Sequence, residues 1–157
     1  MISVRPIQHG EGGALVDLIR SLADSHGEGG KMTATAEGLE AALFCTNPVV
    51  GCLVAEHDGQ LAGCAFWHRS FSTFRGCEVM YLEDLSVLPA YRRRGIAKAL
   101  LAGIARIACE RRYPSITWMM MAWNAEARKL YESIGAEIED GTCYCRVQGA
   151  ALDRLAH

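Results

Sequence analysis

The chain has 157 residues, half of them apolar, and a formal charge of -2. That length suits about one domain with a core of its own. The near-neutral charge excludes a general electrostatic attraction to nucleic acid or to an anionic membrane surface, and no apolar run reaches the roughly 18 residues that a spanning helix needs.

Taken in chain order, ISVRP reads as a short strand ending at Pro6. Residues 12–23 carry Leu15, Leu18, Ile19 and Leu22 at the three-and-four spacing of an amphipathic helix. SHGEGGK follows, and its three glycines predict a flexible loop. A second helix is expected over 34–45, capped by Thr33 or Thr35, with Leu39, Ala42 and Leu43 on one face, and stopped by Asn47-Pro48. GCLVAEHDGQLAGCAFWHR reads as two strands turned at Asp58-Gly59, with Phe66 and Trp67 as packing residues that could also line a pocket. A long strand runs from about Cys77 to Leu88 and ends at Pro89.

Residues 96–110 place Ala97, Leu100, Leu101, Ile104, Ile107 and Ala108 at helical spacing. Beyond Pro114, SITWMMMAW is a continuous apolar run typical of a strand buried on both faces, with Trp118 and Met119 to Met121 in the core. Residues 124–133 predict a helix closed by Ile134-Gly135. A last hairpin over 137–147 and a short terminal helix complete one α/β domain, 1–157, with a central mixed sheet.

The seven cysteines, Cys45, Cys52, Cys64, Cys77, Cys109, Cys143 and Cys145, are odd in number and lie mostly in core-like segments. The opening MISVRPIQHG lacks a secretory signal pattern. Both features predict reduced thiols in a cytoplasmic protein. No CxxC or Cys/His spacing points to zinc, so no metal is expected.

The stretch YLEDLSVLPAYRRRGIAKALL carries the chemistry: a strand, a tight turn and a helix start. A helix N-terminus presents unpaired N–H groups and the positive end of the dipole, which suits a phosphate or pyrophosphate. Gly95 and Ala97 allow close approach. Neither GxxxxGK[ST] nor GxGxxG is present, so the turn is neither a P-loop nor a dinucleotide fingerprint.

The spacing Arg92, Gly95, Ala97 resembles the acyl-CoA pyrophosphate loop of the GNAT N-acetyltransferases. WNAEARKLYESIGA resembles the family's second signature, through Asn124, Ala127, Leu130, Tyr131, Gly135 and Ala136. Together with YLEDLSVLPAYRRRGIA, NPVVGCLVAE and Trp123, the likeness is closest to the spermidine/spermine and thialysine branch and covers nearly the whole chain. The resemblance implies a GNAT fold: a central mixed, mostly antiparallel sheet flanked by helices, with a splayed parallel strand pair. It also implies acetyl-CoA as cosubstrate and a homodimer, for which the 137–147 hairpin offers an edge.

By the same resemblance, the backbone of Leu85, Ser86 and Val87 pairs with the pantetheine arm. The amides of Arg93, Arg94, Gly95, Ile96, Ala97 and Lys98 hold the pyrophosphate, supported by arginine charge including that of Arg92. The Lys98 side chain either nears a phosphate or faces solvent. Asn124 hydrogen-bonds the pantetheine, and Ala127 leaves room for it. Tyr131 is the expected general acid toward the CoA sulfur, Glu83 the group that takes the amine proton through water, and a backbone N–H near Leu85 or Val87 meets the oxyanion. Glu83 and Asp84 point to opposite faces of an ideal strand, and the bulge the family carries there makes both substrate-facing.

Two departures bear on the acceptor. Ala23-Asp24-Ser25-His26 stands where the branch reads roughly Ala-x-Tyr-Glu, so Asp24 and His26 occupy substrate-binding positions, although His26 also reads as an exposed loop residue. A tryptophan typical of the polyamine enzymes is missing from GTCYCR. Both favour a lysine-like primary amine, with a polyamine as the alternative. Acetylation of protein N-termini or lysine side chains, and a non-catalytic acyl-CoA-sensing module, are the competing functions.

Overall fold

Asp58 and Gly59 turn the chain with φ of 52° and 79°, the paired left-handed geometry that matches the twist of flanking strands. Around that hairpin a computed structural model, describing residues 1–156, builds a five-stranded sheet. Its strands are β1 (Ile2–Pro6), β2 (Val50–His57), β3 (Gln60–Ser72), β4 (Cys77–Val87) and β5 (Ile116–Thr117). They lie in the order β1-β2-β3-β4-β5. Every neighbouring pair is antiparallel except β4 and β5, which run parallel. The expected mixed, mostly antiparallel sheet with one parallel pair is therefore present.

The helices of this first unit, Met1–Met119, are α1 (Gly12–Ser25), α2 (Ala36–Leu43) and α3 (Ile96–Glu110). Alternation along β2 and β3 gives the sheet two apolar faces. Cys52, Val54, Cys64 and Phe66 pack with Ile7, Leu15, Leu18 and Leu43 in one cluster. Leu53 and Gly63 turn the other way, towards Gly103 and towards Ile96 and Leu100 of α3. Two capping contacts fix the helices. The Gly10 and Gly12 amides donate to Glu40 Oε1 at 3.1 and 2.8 Å, and Thr35 Oγ1 accepts from the Gly38 amide at 3.1 Å. The second of these starts α2 later than its apolar pattern alone implies. Buried Ser86 donates through Oγ to the Leu18 carbonyl at 2.8 Å, tying β4 to α1.

A second unit begins at Met120. It contains α4 (Ala125–Ser133) and the short α5 (Ala150–Ala156). Asn124 caps α4 by accepting from the Ala127 amide at 3.0 Å, and Gly135 follows it with φ of 82°, the left-handed position after a helix that favours glycine.

Two expectations fail. The strand over SITWMMMAW shrinks to Ile116–Thr117, while Met119, Met121 and Trp123 are 53%, 42% and 61% exposed. The hairpin over 137–147 forms no strand, and residues 139–147 are exposed throughout. Apolar composition records a capacity for burial, but a strand also needs a ladder partner. β5 is the sheet edge with two rungs only, and a two-stranded ribbon with no sheet to join is marginal in water. The expected dimer edge is lost with the hairpin. All seven cysteines are unpaired, as expected, but Cys45, Cys109, Cys143 and Cys145 are exposed rather than core residues.

Gly63 marks the tightest crossing of sheet and helix. A Cβ there would sit 2.6 Å from the Ser86 carbonyl and 3.3 Å from Ile96 and Leu100. Gly63→Ala is expected to lower stability by about 1–3 kcal/mol, read as a reduced urea midpoint at unchanged slope.

Candidate active site

The β3–β4 ladder slips by one residue in the middle of β4. Asp84 lies opposite Phe66 and Leu82 opposite Trp67, so Glu83 is an inserted residue with no partner of its own. The bulge changes which side each group meets. Asp84 shares the face of Phe66, which belongs to the cluster under α1, instead of alternating away from it. Glu83 is 55% exposed at its side chain and Asp84 is half-buried. Burial first, and the neighbouring Glu83 charge second, push the Asp84 carboxyl up to about 6. The expected bulge is present.

His68, which no motif singles out, lies beside this pair. Directly opposite Tyr81 in the ladder, its ring stacks on the tyrosine with centroids 5.0 Å apart. Its Nε2 is 3.5 Å from Glu83 Oε2. Nothing local in the sequence announces this contact, because it depends on strand register. Phe66 and Trp67 are buried, in keeping with packing roles.

Beyond Tyr81, which pairs with Thr117, β4 has no parallel rung. Its outer edge over Leu85, Ser86 and Val87 is left without a strand partner among the described residues. The chain then makes a short turn, Pro89–Tyr91, and enters α3 through Arg92, Arg93, Arg94 and Gly95. Arg93 and Gly95 both have positive φ, 62° and 85°. Arg92 folds back, donating from Nε to the Val87 carbonyl at 3.2 Å. The Arg94 guanidinium lies 5.7 Å above the Tyr91 ring. No side chain caps α3, so its first amides, from Gly95 through Ile96, Ala97 and Lys98, are without a side-chain acceptor, the kind of helix start that suits an anion. The Ile96 side chain is buried beneath them and Lys98 is exposed.

Asn124, Ala127 and Tyr131 belong to the second unit. There Asn124 Oδ1 serves as the cap of α4, leaving its amide nitrogen as donor. Tyr131 is buried, and that burial pushes its phenol up. Asp24 is exposed near the end of α1. His26 is half-buried as the residue that closes that helix, its amide directed at the Leu22 and Ala23 carbonyls, rather than an exposed loop residue. A depression of about 300 Å³ near the far ends of β3 and β4 is lined by Val49, Arg69, Ser70, Phe71 and Glu78, none of them a predicted residue. Among the described residues no group of three His, Cys, Asp or Glu side chains is arranged to hold a metal.

Residues 15–136 match the acetyltransferase (GNAT) family. The chain belongs to that family. As a GNAT protein it is an acyltransferase, and its relatives carry the names of the branch its motifs resemble. Thialysine N-epsilon-acetyltransferase of Bos taurus is 30% identical over 99% of this chain and 97% of that protein. Spermidine/spermine N(1)-acetyltransferase-like protein 1 of Homo sapiens is 30% identical over 83% of this chain but 20% of that one. Among solved structures, an integron cassette protein from the V. cholerae mobile metagenome superposes with a TM-score of 0.78 at 26% identity, covering 99% of this chain and 97% of its own.

The raised Asp84 value sets a pH dependence. Because the folded protein binds this proton more tightly than the unfolded chain, the stability it contributes is present below about pH 4 and is lost as pH rises through about 6. Asp84→Asn escapes that loss. Its stability relative to the native protein is expected to rise between pH 4 and 7.5 by at most about 3 kcal/mol, less whatever solvent screens. Urea titrations of both proteins at each pH measure the difference.

Proposed function

We propose that the protein transfers the acetyl group of acetyl-CoA directly to a primary amine of a small molecule, a lysine-like amine, diamine or polyamine. The observation that carries this reading is one strand, β4, which joins a carboxylate bulge at Glu83 and Asp84 to a free backbone edge and then to an uncapped helix N-terminus. The relatives' activity on thialysine supports the lysine-like acceptor.

The residues fit such a cosubstrate. Gly95 has no protein atom within 4 Å of where a Cβ would stand, so the amides at the head of α3 are open to a pyrophosphate. With two arginine side chains engaged in their own turn, these amides are the principal donors and arginine charge is secondary. The Leu85 to Val87 edge aligns an extended amide-bearing arm, assisted by the Asn124 amide and by the small Ala127. Acetyl-CoA supplies an activated thioester carbonyl. Glu83 takes the proton that the ammonium must lose before its nitrogen can attack, and Asp84 holds the cationic acceptor. A backbone N–H near Leu85 or Val87 meets the oxyanion. Tyr131, kept neutral by its burial, protonates the departing sulfur. No cysteine occupies a position that calls for an acyl-enzyme. We further read the two units as one catalytic domain, since the family match spans both, acting as a cytoplasmic homodimer.

Purified protein given acetyl-CoA and a panel of lysine analogues, diamines and polyamines is expected to release free CoA; silence across the panel defeats the proposal. Tyr131→Phe is expected to slow turnover by about a hundredfold while acetyl-CoA affinity changes less than twofold, by stopped assay and calorimetry. Gly95→Val, which forces a branched side chain to φ of 85°, is expected to weaken acetyl-CoA binding more than Arg93→Ala does. The opposite ranking would remove the backbone amides from the principal role.

A further inference from the structure

His68 is held on both sides. Its Nδ1 lies 3.0 Å from the Arg69 carbonyl. A carbonyl only accepts, so the proton of the neutral ring sits on Nδ1 and Nε2 presents a lone pair. That lone pair faces Glu83 Oε2 at 3.5 Å. The stack on Tyr81 fixes the ring plane, and the β2 residue opposite, Val50, carries no charge. With both groups unprotonated, two acceptors confront each other. One added proton between them turns that contact into a charge-assisted hydrogen bond.

We propose that His68 is the second half of the base, holding through Nε2 the proton that Glu83 takes from the amine. The assignment rests on Glu83 as the receiver of that proton. In the first step an N–H bond of the ammonium breaks and an O–H bond forms on Glu83, directly or through water, leaving the nitrogen lone pair free to attack. In the second that O–H bond breaks and Nε2–H forms, so Glu83 returns to carboxylate beside an imidazolium. The ring is about one-third exposed and releases the proton to solvent, which resets the pair. His68 acts through Glu83 and is a positioning residue for the proton.

The test is a double-mutant cycle on the full chain with acetyl-CoA and an accepted amine. His68→Asn keeps an amide nitrogen for the Arg69 carbonyl and deletes the atom facing Glu83; His68→Phe keeps the stack on Tyr81 and deletes both nitrogens. Each is expected to lower kcat about tenfold with the KM for acetyl-CoA unchanged. In a Glu83→Gln background each is expected to cost less than twofold, because the partner is already gone. Equal costs in both backgrounds, or no cost in the native background, overturn the role of His68 while leaving Glu83 as base if Glu83→Gln alone is slow. Full activity in Glu83→Gln overturns the reading of Glu83 itself, and the relay with it. Should His68→Phe not fold, His68→Asn carries the comparison, with thermal unfolding of each protein as control.

Discussion

The inserted residue at Glu83 is the constraint around which the site is arranged. In a regular ladder Asp84 would share the face of Leu82, a core residue. The slip between Phe66 and Trp67 rotates it to the α1 side and leaves Glu83 outside the pairing. A bulge of this kind costs ladder hydrogen bonds and re-aims side chains. Here it sets two carboxyls next to each other, one mostly solvated and one half-buried. Desolvation first, and the adjacent Glu83 charge second, raise the proton affinity of Asp84.

The same strand leads into a turn whose arginines are engaged with local structure. Arg93 and Gly95 both take positive φ at the entry to α3, and an arginine tolerates that conformation less well than glycine does. Arg92 and Arg94 meanwhile stabilise the turn, one through the Val87 carbonyl and the other through the Tyr91 ring. The three-arginine run is therefore substantially a device of local structure.

What could be read from the sequence was local. The limits of α3, the Asp58-Gly59 turn, the Thr35 cap and the glycine after α4 all follow from periodicity or from residues that favour one backbone conformation, and each interaction spans only a few positions. The motif residues of the candidate site were legible through resemblance, and the bulge with them. Elements that depend on a distant partner were not. SITWMMMAW has strand composition but lacks a ladder past Thr117, and the 137–147 segment has turn and alternation signals without a sheet to join. His68 escaped notice for the same reason: its neighbours Tyr81 and Glu83 are chosen by register across two strands, which no window along the chain displays.

A half-buried acid that stays protonated to about pH 6 is unfavourable to the fold at neutral pH, and its location limits the damage. β4 has three supports: a thirteen-residue partner in β3, the Ser86 bond to the first helix, and the close approach of Gly63 and α3 on the opposite face. One residue, Leu85, separates Asp84 from Ser86, so the costly carboxyl and the tether belong to the same short stretch. Strain of this sort persists where surrounding packing over-determines the backbone. A carboxyl on the free edge at β5, with two rungs to hold it, would move with that edge and lose its fixed distance from Glu83. Placing the bulge where β4 is paired to β3 and tethered to α1 through Ser86 holds the pair to the sheet on one side and leaves the other side open.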